Sequence, residues 1–498
     1  MISKQLFTGI NRKKALCILL TLFVLSILLR LPNLNRPVSK HHEFNTAVVL
    51  INIASWRQAG GGGVFHYTPL MNFQNAGDKH FDKGPHIDRK GNHLYLSYGP
   101  GWYIIPYIIY QLFNLPVDPI YLQILNLFFN LAMVVMLFFL FEKLVPVEND
   151  NRYLIVSAGC CLYMFSPGIL WYFGNGYINI DIMMPFIVGA LLLLLPMLQS
   201  PGNIRAGRLV LLSILIIVLI YLDWFIFFIC VIAGIIALFK IKQSKKYIVL
   251  LSVLSLAAVT GIAFVFFQFA SYAGWHTVAN YWQLRFFDRS INKGESSFFK
   301  MPFLIVMHLF TAYFPLLLLS AVGFIMLKLK KTALHFSAQE IFFMRFYIAC
   351  VLLYNLVLLN WSSEHEFSMI PFGILPAYVA ARLISKLNPR PIIYLLSLFF
   401  ILSITQYYYI NRPGDISRDG MRYDSFKNLG QILQQVPKDY KIFMNIETDP
   451  MIEYYAGRNL TRATGFEDAK KYMSVWGVSK GVWVEQDNHR FKSMVVIR

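Results

Sequence analysis

The stretch GRLVLLSILIIVLIYLDWFIFFICVIAGIIALFK, residues 207–240, holds two apolar runs, 207–222 and 224–240, and is followed by Lys242, Lys245 and Lys246. The hydrocarbon core of a bilayer is about 30 Å thick, so a spanning helix needs roughly 20 mostly apolar residues. Runs of this kind recur at 15–31, 95–113, 117–141, 153–173, 177–197, 247–270, 302–327, 341–360, 367–385 and 391–409. Over 498 residues, 57% are hydrophobic and 14% charged, a surplus that must face lipid rather than a soluble core. The fold class expected is an all-α polytopic membrane protein.

The net charge of +19 does not point to nucleic acid, because the cations sit between the apolar runs. Lys240, Lys242, Lys245 and Lys246 form one cluster, Lys328, Lys330 and Lys331 a second, and Arg382, Lys386 and Arg390 a third. This is the charge bias of cytoplasmic loops. It places the loop at 271–301 and the segment after 409 outside. Lys4, Arg12, Lys13 and Lys14 precede the first apolar run, and no small-residue cleavage site follows it, so the expectation is a retained signal anchor with a cytoplasmic N-terminus. That orientation needs an odd number of crossings, whereas twelve runs were counted. The weakest is the Gly- and Pro-broken stretch 95–113 with its neighbour from Val117, so eleven or thirteen helices are expected. Cys17, Cys160, Cys161, Cys230 and Cys350 all fall in apolar runs and imply no disulfide framework.

Residues 1–409 read as a transmembrane domain with a first external loop at 32–94, and 410–498 as a small soluble α/β domain. In the latter an amphipathic pattern at 423–436 alternates with β-like runs at 440–446, 480–485 and 491–497. The first loop holds six of the eleven histidines, His41, His42, His66, His80, His86 and His93, with Glu43, Asp78, Asp82 and Asp88. The segment EFNTAVVLINIASWRQ, 43–58, has helical apolar spacing that suits a helix lying in the membrane interface, ended by Gly60–Gly63. Glu43, the first acid of the chain, would stand at its N-terminal end, as a cap or as a catalytic carboxylate. Asp181 opens an apolar run, where an isolated carboxylate is costly unless it is partnered or functional. Arg285 and Arg289 lie in YWQLRFFDRS, where they either anchor a helix to lipid headgroups or bind phosphate. Glu364, His365 and Glu366 crowd one end of a run. Imidazole with carboxylate suits zinc or manganese, so a divalent metal stays open, but the spacing assigns none.

The segment SKHHEFNTAVVLINIASWRQAGG resembles the first external loop of the GT-C glycosyltransferases, the superfamily of protein O-mannosyltransferases and lipid A aminoarabinose transferases. His41, His42, Thr46, Ala47, Gly60 and Gly61 match one bacterial branch. Further matches are Tyr98-Gly99-Pro100-Gly101-Trp102, Ser166-Pro167 followed by Asp181, and Glu364-His365-Glu366-Phe367 before a Pro-containing helix. The matches extend over roughly 15–409. The family usually places an aspartate beside the first-loop motif; here Ser39 and Lys40 precede the His pair, and Glu43 is the nearest acid.

The resemblance implies an inverting transfer of a sugar from a polyprenyl-phosphate donor, at the external face of the plasma membrane, to an acceptor glycan, lipid or protein. Glu43 would then be the base, Asp181 would orient the site, and Arg285, Arg289, Lys40, His41 and His42 would contact donor phosphate or sugar, with Glu364 and His365 beside them. The competing class is a lipid-linked glycan flippase or transporter. Transporters concentrate ionisable residues at the bilayer midplane, while the charges here crowd the ends of the runs.

Overall fold

The computed structural model describes residues 10–34, 36–38, 43–80, 86–290, 300–409, 425–445, 449–487 and 490–497. Helices come first in chain order: α1 Arg12–Arg30, α2 Phe44–Gln58, α3 Gly101–Leu112, α4 Pro119–Leu144, α5 Arg152–Met164, α6 Pro167–Tyr172 and α7 Asn179–Gln199. They continue with α8 Ala206–Leu222, α9 Phe225–Lys240, α10 Lys246–Ala273, α11 Trp275–Ser290, α12 Lys300–Leu329, α13 Ala338–Val357, α14 Leu359–Glu364, α15 Ile374–Ile384 and α16 Pro389–Tyr409. The C-terminal part adds α17 Ser425–Leu433, β1 Lys441–Met444, α18 Pro450–Ala456, β2 Leu460–Arg462, α19 Phe466–Trp476, β3 Gly481–Asp487 and β4 Arg490–Ile497.

Lipid cannot hydrogen-bond a peptide group, so the apolar runs close their backbone bonds within helices and end at capping residues. Asp118 accepts from Ile120 N at 2.9 Å with Pro119 in the first turn of α4, and Ser337 and Glu340 form a reciprocal capping box on α13. Among the described residues eight helical segments are long and apolar enough to cross a bilayer, and α5, α8 and α9 are shorter apolar helices. The stretch 95–113 is not a span. Only Gly101–Leu112 is helical, and its backbone enters the helix between glycines, because a Cβ on Gly99 would collide with the Tyr221 carbonyl. The run 153–173 likewise breaks into α5 and α6 at Ser166-Pro167. The most interior spans are Glu366–Ile384, which ends in α15, and α7, with 89% and 83% of their apolar windows inside the protein against 28% for α1, which belongs to the lipid-facing rim.

The basic clusters gather at one end of the bundle. Arg12 pairs with Glu142 at 3.1 Å, the Lys240 ammonium donates to Leu198 O at 2.7 Å, and buried Arg382 pairs with Glu340 at 2.7 Å. At the opposite end lie the first loop and the C-terminal part. The latter is a four-stranded sheet of order β2-β1-β3-β4, with β1 parallel to β2 and β3, and β4 antiparallel to β3. Ile442 stands opposite both Leu460 and Val482. Its apolar residues join the core of the helical bundle, while Phe443, Ala463, Met473 and Trp483 fill a second small core under α19.

The sheet and the first loop are locked together by buried Arg458. Its Nε lies 3.2 Å from Asp78 Oδ1, and Nη1 donates to Val436 O at 2.8 Å and Pro437 O at 2.9 Å. Asn459 N donates to the same Asp78 oxygen at 2.8 Å, and Lys441 Nζ donates to Lys79 O at 2.9 Å. A buried pair of this kind is costly to half-remove, because the survivor keeps its charge without a partner. Packed against α18, α3 and α4, α2 is buried nearly all round: Val48, Val49, Leu50, Ile51, Ile53 and Trp56 have no exposed surface. It therefore lacks the wet face expected of a helix lying in the interface.

Burial pushes the Glu453 carboxyl in α18 up to about 8 from 4.5, against the opposing effect of its hydrogen bond from Leu460 N. Between those two values the native state keeps a proton that the unfolded chain has released, so stability is greatest near pH 4.5 and falls as pH rises toward 8. The loss amounts to a few kcal/mol in order of magnitude. Glu453→Gln should therefore melt like wild type near pH 5 and increasingly above it toward pH 8. Parallel melting temperatures in detergent across that window would remove this assignment.

Candidate functional site

The site is built on a non-helical segment, Tyr95–Ser97, whose carbonyls are taken up by side chains rather than by a helix or sheet. Trp282 Nε1 donates to Leu96 O at 3.1 Å, and Trp224 Nε1 and Arg289 Nη1 each donate to Ser97 O at 3.2 Å. The Ser97 hydroxyl meets the Tyr281 hydroxyl at 3.1 Å. Three of these partners come from α11, where spacings of three and four residues put Trp282, Arg285 and Arg289 along one face.

Two cavities meet at this segment. One, of about 300 Å³, is apolar and walled by Trp224, Phe227, Phe228, Ile262, Trp282 and Phe286; Phe227 and Phe286 are also exposed on the outside of the helical bundle. The other, of about 430 Å³, is polar and walled by Asn45, Tyr98, Asp288, Asn360, Trp361, Glu364 and His365. Ser97, Arg285 and Arg289 line both and form the border between them.

The Arg289 guanidinium lies over the Tyr98 ring at 4.6 Å and the Trp361 ring at 6.0 Å, and among the described residues no carboxylate is within ion-pair distance of it. Its orientation is fixed by aromatic faces and Ser97 O, with the buried Asp223 carboxylate as a more distant electrostatic neighbour. Arg285 is half-exposed, donates toward the Tyr281 hydroxyl at 3.4 Å and is 4.0 Å from Asp288, a loose solvent-screened contact. Asn360 Nδ2 donates to Asp288 O at 2.9 Å and to Glu364 Oε1 at 3.1 Å, tying α14 to α11. Burial pulls the His365 imidazole down to about 4, so it is neutral at pH 7. Nδ1 lies 2.9 Å from Trp361 O and must donate there, which makes Nε2 the acceptor nitrogen of this ring.

Four residues singled out in the sequence, Arg285, Arg289, Glu364 and His365, thus share one cavity. Glu43 does not line it but directly precedes Phe44 and Asn45, which line the polar wall. It occupies the N-cap position of α2 without making a side-chain cap bond. Its carboxylate instead engages Arg36 through both oxygens, with Arg36 Nη1 to Glu43 Oε2 at 2.9 Å, and the Arg36 guanidinium rests over Trp171 at 5.2 Å. Both side chains are buried. Lys40, His41 and His42 lie outside the described residues.

Asp181 is not brought to either cavity. It sits in the first turn of α7, fully buried, with Arg30 as its electrostatic partner and neither oxygen hydrogen-bonded among the described residues. Glu366 is buried and accepts from the Tyr172 hydroxyl at 3.2 Å, and the Thr46 hydroxyl accepts from Tyr177 N at 2.8 Å, which fastens α2 to the segment before α7. His80, His86 and His93 pack ring on ring, with centroids 5.5 Å and 4.6 Å from His93. Burial holds the His80 imidazole down at about 3 and lowers His93, whose neighbours include Arg285. Among the described residues no three His, Cys, Asp or Glu side chains converge as metal ligands.

Arg36, Ser97, Trp282 and Trp361 were not anticipated. Arg36 carried a faint signal as the basic residue shortly before the first acid; Trp282 lay in the same YWQLRFFDRS segment as the two arginines, at helical spacing from them.

No family model matches the sequence, and no curated protein matches it. Solved structures do match in three dimensions. ArnT from Cupriavidus metallidurans bound to undecaprenyl phosphate superposes with a TM-score of 0.60 at 11% identity, covering 94% of this chain and 93% of that one. The apo state of the same protein gives 0.60 at 9% identity, covering 97% and 96%. The archaeal oligosaccharyltransferase AglB from Archaeoglobus fulgidus, in complex with an inhibitory peptide and a dolichol-phosphate, gives 0.55 at 12% identity over 94% of this chain and 69% of that one. The chain has the fold of these polytopic GT-C membrane proteins.

Proposed function

We propose that the protein is an inverting glycosyltransferase that moves a sugar from a polyprenyl-phosphate donor to an acceptor at the external face of the plasma membrane. The observation that carries this is the border of Arg285, Arg289 and Ser97 between an apolar and a polar cavity. A polyprenyl-phosphate sugar has the same division: hydrocarbon, then a phosphodiester anion, then a polyhydroxylated ring. The chain would lie against Trp224, Phe228 and Trp282, the phosphate at the two guanidiniums, and the sugar among Asn45, Asn360, Glu364 and His365. Two of the matched structures, ArnT and AglB, were solved with a lipid phosphate bound, undecaprenyl phosphate and a dolichol-phosphate respectively. The basic clusters at the opposite end of the bundle support an external placement of the site, with the N-terminus and those clusters in the cytoplasm.

In the reaction the acceptor hydroxyl oxygen attacks the anomeric carbon, and the bond from that carbon to the phosphate oxygen breaks. The electron pair leaves with polyprenyl phosphate, whose growing charge Arg285 and Arg289 stabilise. The acceptor proton passes to the Glu43 carboxylate, which Arg36 holds at the edge of the polar cavity. Asp181 is assigned an orienting role through Arg30 and α7 rather than a chemical one.

Purified protein in detergent, given a radiolabelled polyprenyl-phosphate sugar and a mixture of envelope glycan, lipid and peptide acceptors, should release unlabelled polyprenyl phosphate. Movement of intact donor across a vesicle membrane with no cleavage of the sugar-phosphate bond would overturn the proposal in favour of a flippase.

A further inference from the structure

The C-terminal part reaches the Arg36–Glu43 pair through two adjacent tyrosines of α18. Tyr454 donates its hydroxyl to Val117 O at 2.9 Å, at the start of α4, and the Tyr455 hydroxyl accepts from Val38 N at 2.6 Å. Val38 is buried and stands two residues after Arg36, so its N–H has little access to water. A buried donor left without an acceptor is expensive, and the chain would shift to recover one. Tyr455 is also electrostatically coupled to both Glu43 and Arg36. Behind it the Tyr455 Cβ and backbone press against Gly430 of α17, where any Cβ would collide with them, and Gln434 Nε2 donates to Tyr455 O at 2.7 Å. The hydroxyl is thus held from the sheet side and presented to the first loop.

We propose that Tyr455 is a positioning residue for Glu43: by fixing Val38 it fixes Arg36, and Arg36 in turn holds the Glu43 carboxylate beside the polar cavity. The inference rests on the reading of Glu43 as the proton acceptor. It makes the C-terminal part a component of the site rather than an appended module, although none of its described residues lines the polar cavity.

Tyr455→Phe keeps the ring and its packing and removes only the acceptor for Val38 N. In the full-length protein, kcat should fall up to roughly tenfold, the equivalent of one hydrogen bond, with KM for the polyprenyl-phosphate sugar within about twofold of wild type. Amide hydrogen exchange in peptides covering 36–46 should quicken and the melting temperature should fall by a few degrees, while exchange in α7 stays unchanged. In a Glu43→Gln background the same substitution should add no further loss, since it acts through a carboxylate already removed. Unchanged exchange across 36–46, or a Tyr455→Phe loss that persists undiminished in the Glu43→Gln background, would overturn the proposal. If Glu43→Gln alone retained wild-type turnover, the base assignment would fail on its own, and the exchange measurement would still decide whether Tyr455 fixes the loop.

Discussion

Glu43→Gln should lower turnover of the lipid-linked donor by roughly 10²- to 10⁴-fold, the usual contribution of a positioned general base. Gln has the same shape and can still accept one hydrogen bond from Arg36, so the loop keeps its path. What it lacks is the negative charge and the ability to take a proton. The substitution also leaves the buried Arg36 guanidinium without its counter-charge, and breaking one side of such a pair typically costs about 3–5 kcal/mol of stability. Loss of activity must therefore be separated from loss of fold. Glu43→Asp restores the carboxylate one methylene short and should recover measurable turnover, whereas a purely structural role would let Arg36→Met with Glu43→Leu, an apolar replacement of the whole pair, be active. Donor binding should survive Glu43→Gln, because in the proposed arrangement the phosphate would rest on α11 and not on the first loop. Wild-type turnover in Glu43→Gln would move the base to Glu364 or Asp288, the carboxylates that line the polar cavity.

The apolar runs were legible because lipid imposes length and composition on a helix that crosses it, and α1, α4, α7, α10, α12, α13 and α16 each overlap a run assigned from sequence to within three residues at either end. Tyr95–Phe113 failed that test for a local reason: Gly99, Pro100 and Gly101 bring the backbone against Tyr221 and leave Tyr95–Ser97 outside any helix, and Tyr95 and Tyr98 line a cavity instead of meeting lipid. In the C-terminal part, β-like runs marked β1, β3 and β4, but β2 spans only Leu460–Arg462 and is too short to stand out as a run. Arg285 and Arg289 were legible as candidates because helix spacing is a property of the local sequence. Arg36 was not, since nothing near it in the chain indicates that Trp171, far along the sequence, will supply the face on which it rests. The same limit applies to α2. Its periodicity gave the helix, but burial by α18 depends on a contact with residues some four hundred positions later.

Arg289→Ala should cost about 10²- to 10³-fold in kcat/KM, the scale seen when one fixed donor to a developing oxyanion is removed. Arg289 is the stronger of the two cavity arginines on three counts: no carboxylate among the described residues lies within ion-pair distance of it, it is clamped by Ser97 O, and it lies over Tyr98 and Trp361. Arg285→Ala should cost less, because that side chain is half-exposed and already faces Asp288. Arg289→Lys should recover little of the loss: an ammonium keeps the charge but cannot stack on Tyr98 and present planar donors to a phosphate at the same time. The competing role, anchoring α11 to anionic headgroups, makes a different prediction. An anchor would matter only in membranes that carry anionic lipid. Assays in vesicles of purely zwitterionic lipid and in vesicles with anionic lipid should show the same deficit for Arg289→Ala if the guanidinium binds donor phosphate. A deficit confined to the anionic vesicles would return Arg289 to the surface of the membrane and leave the border between the two cavities without its central charge.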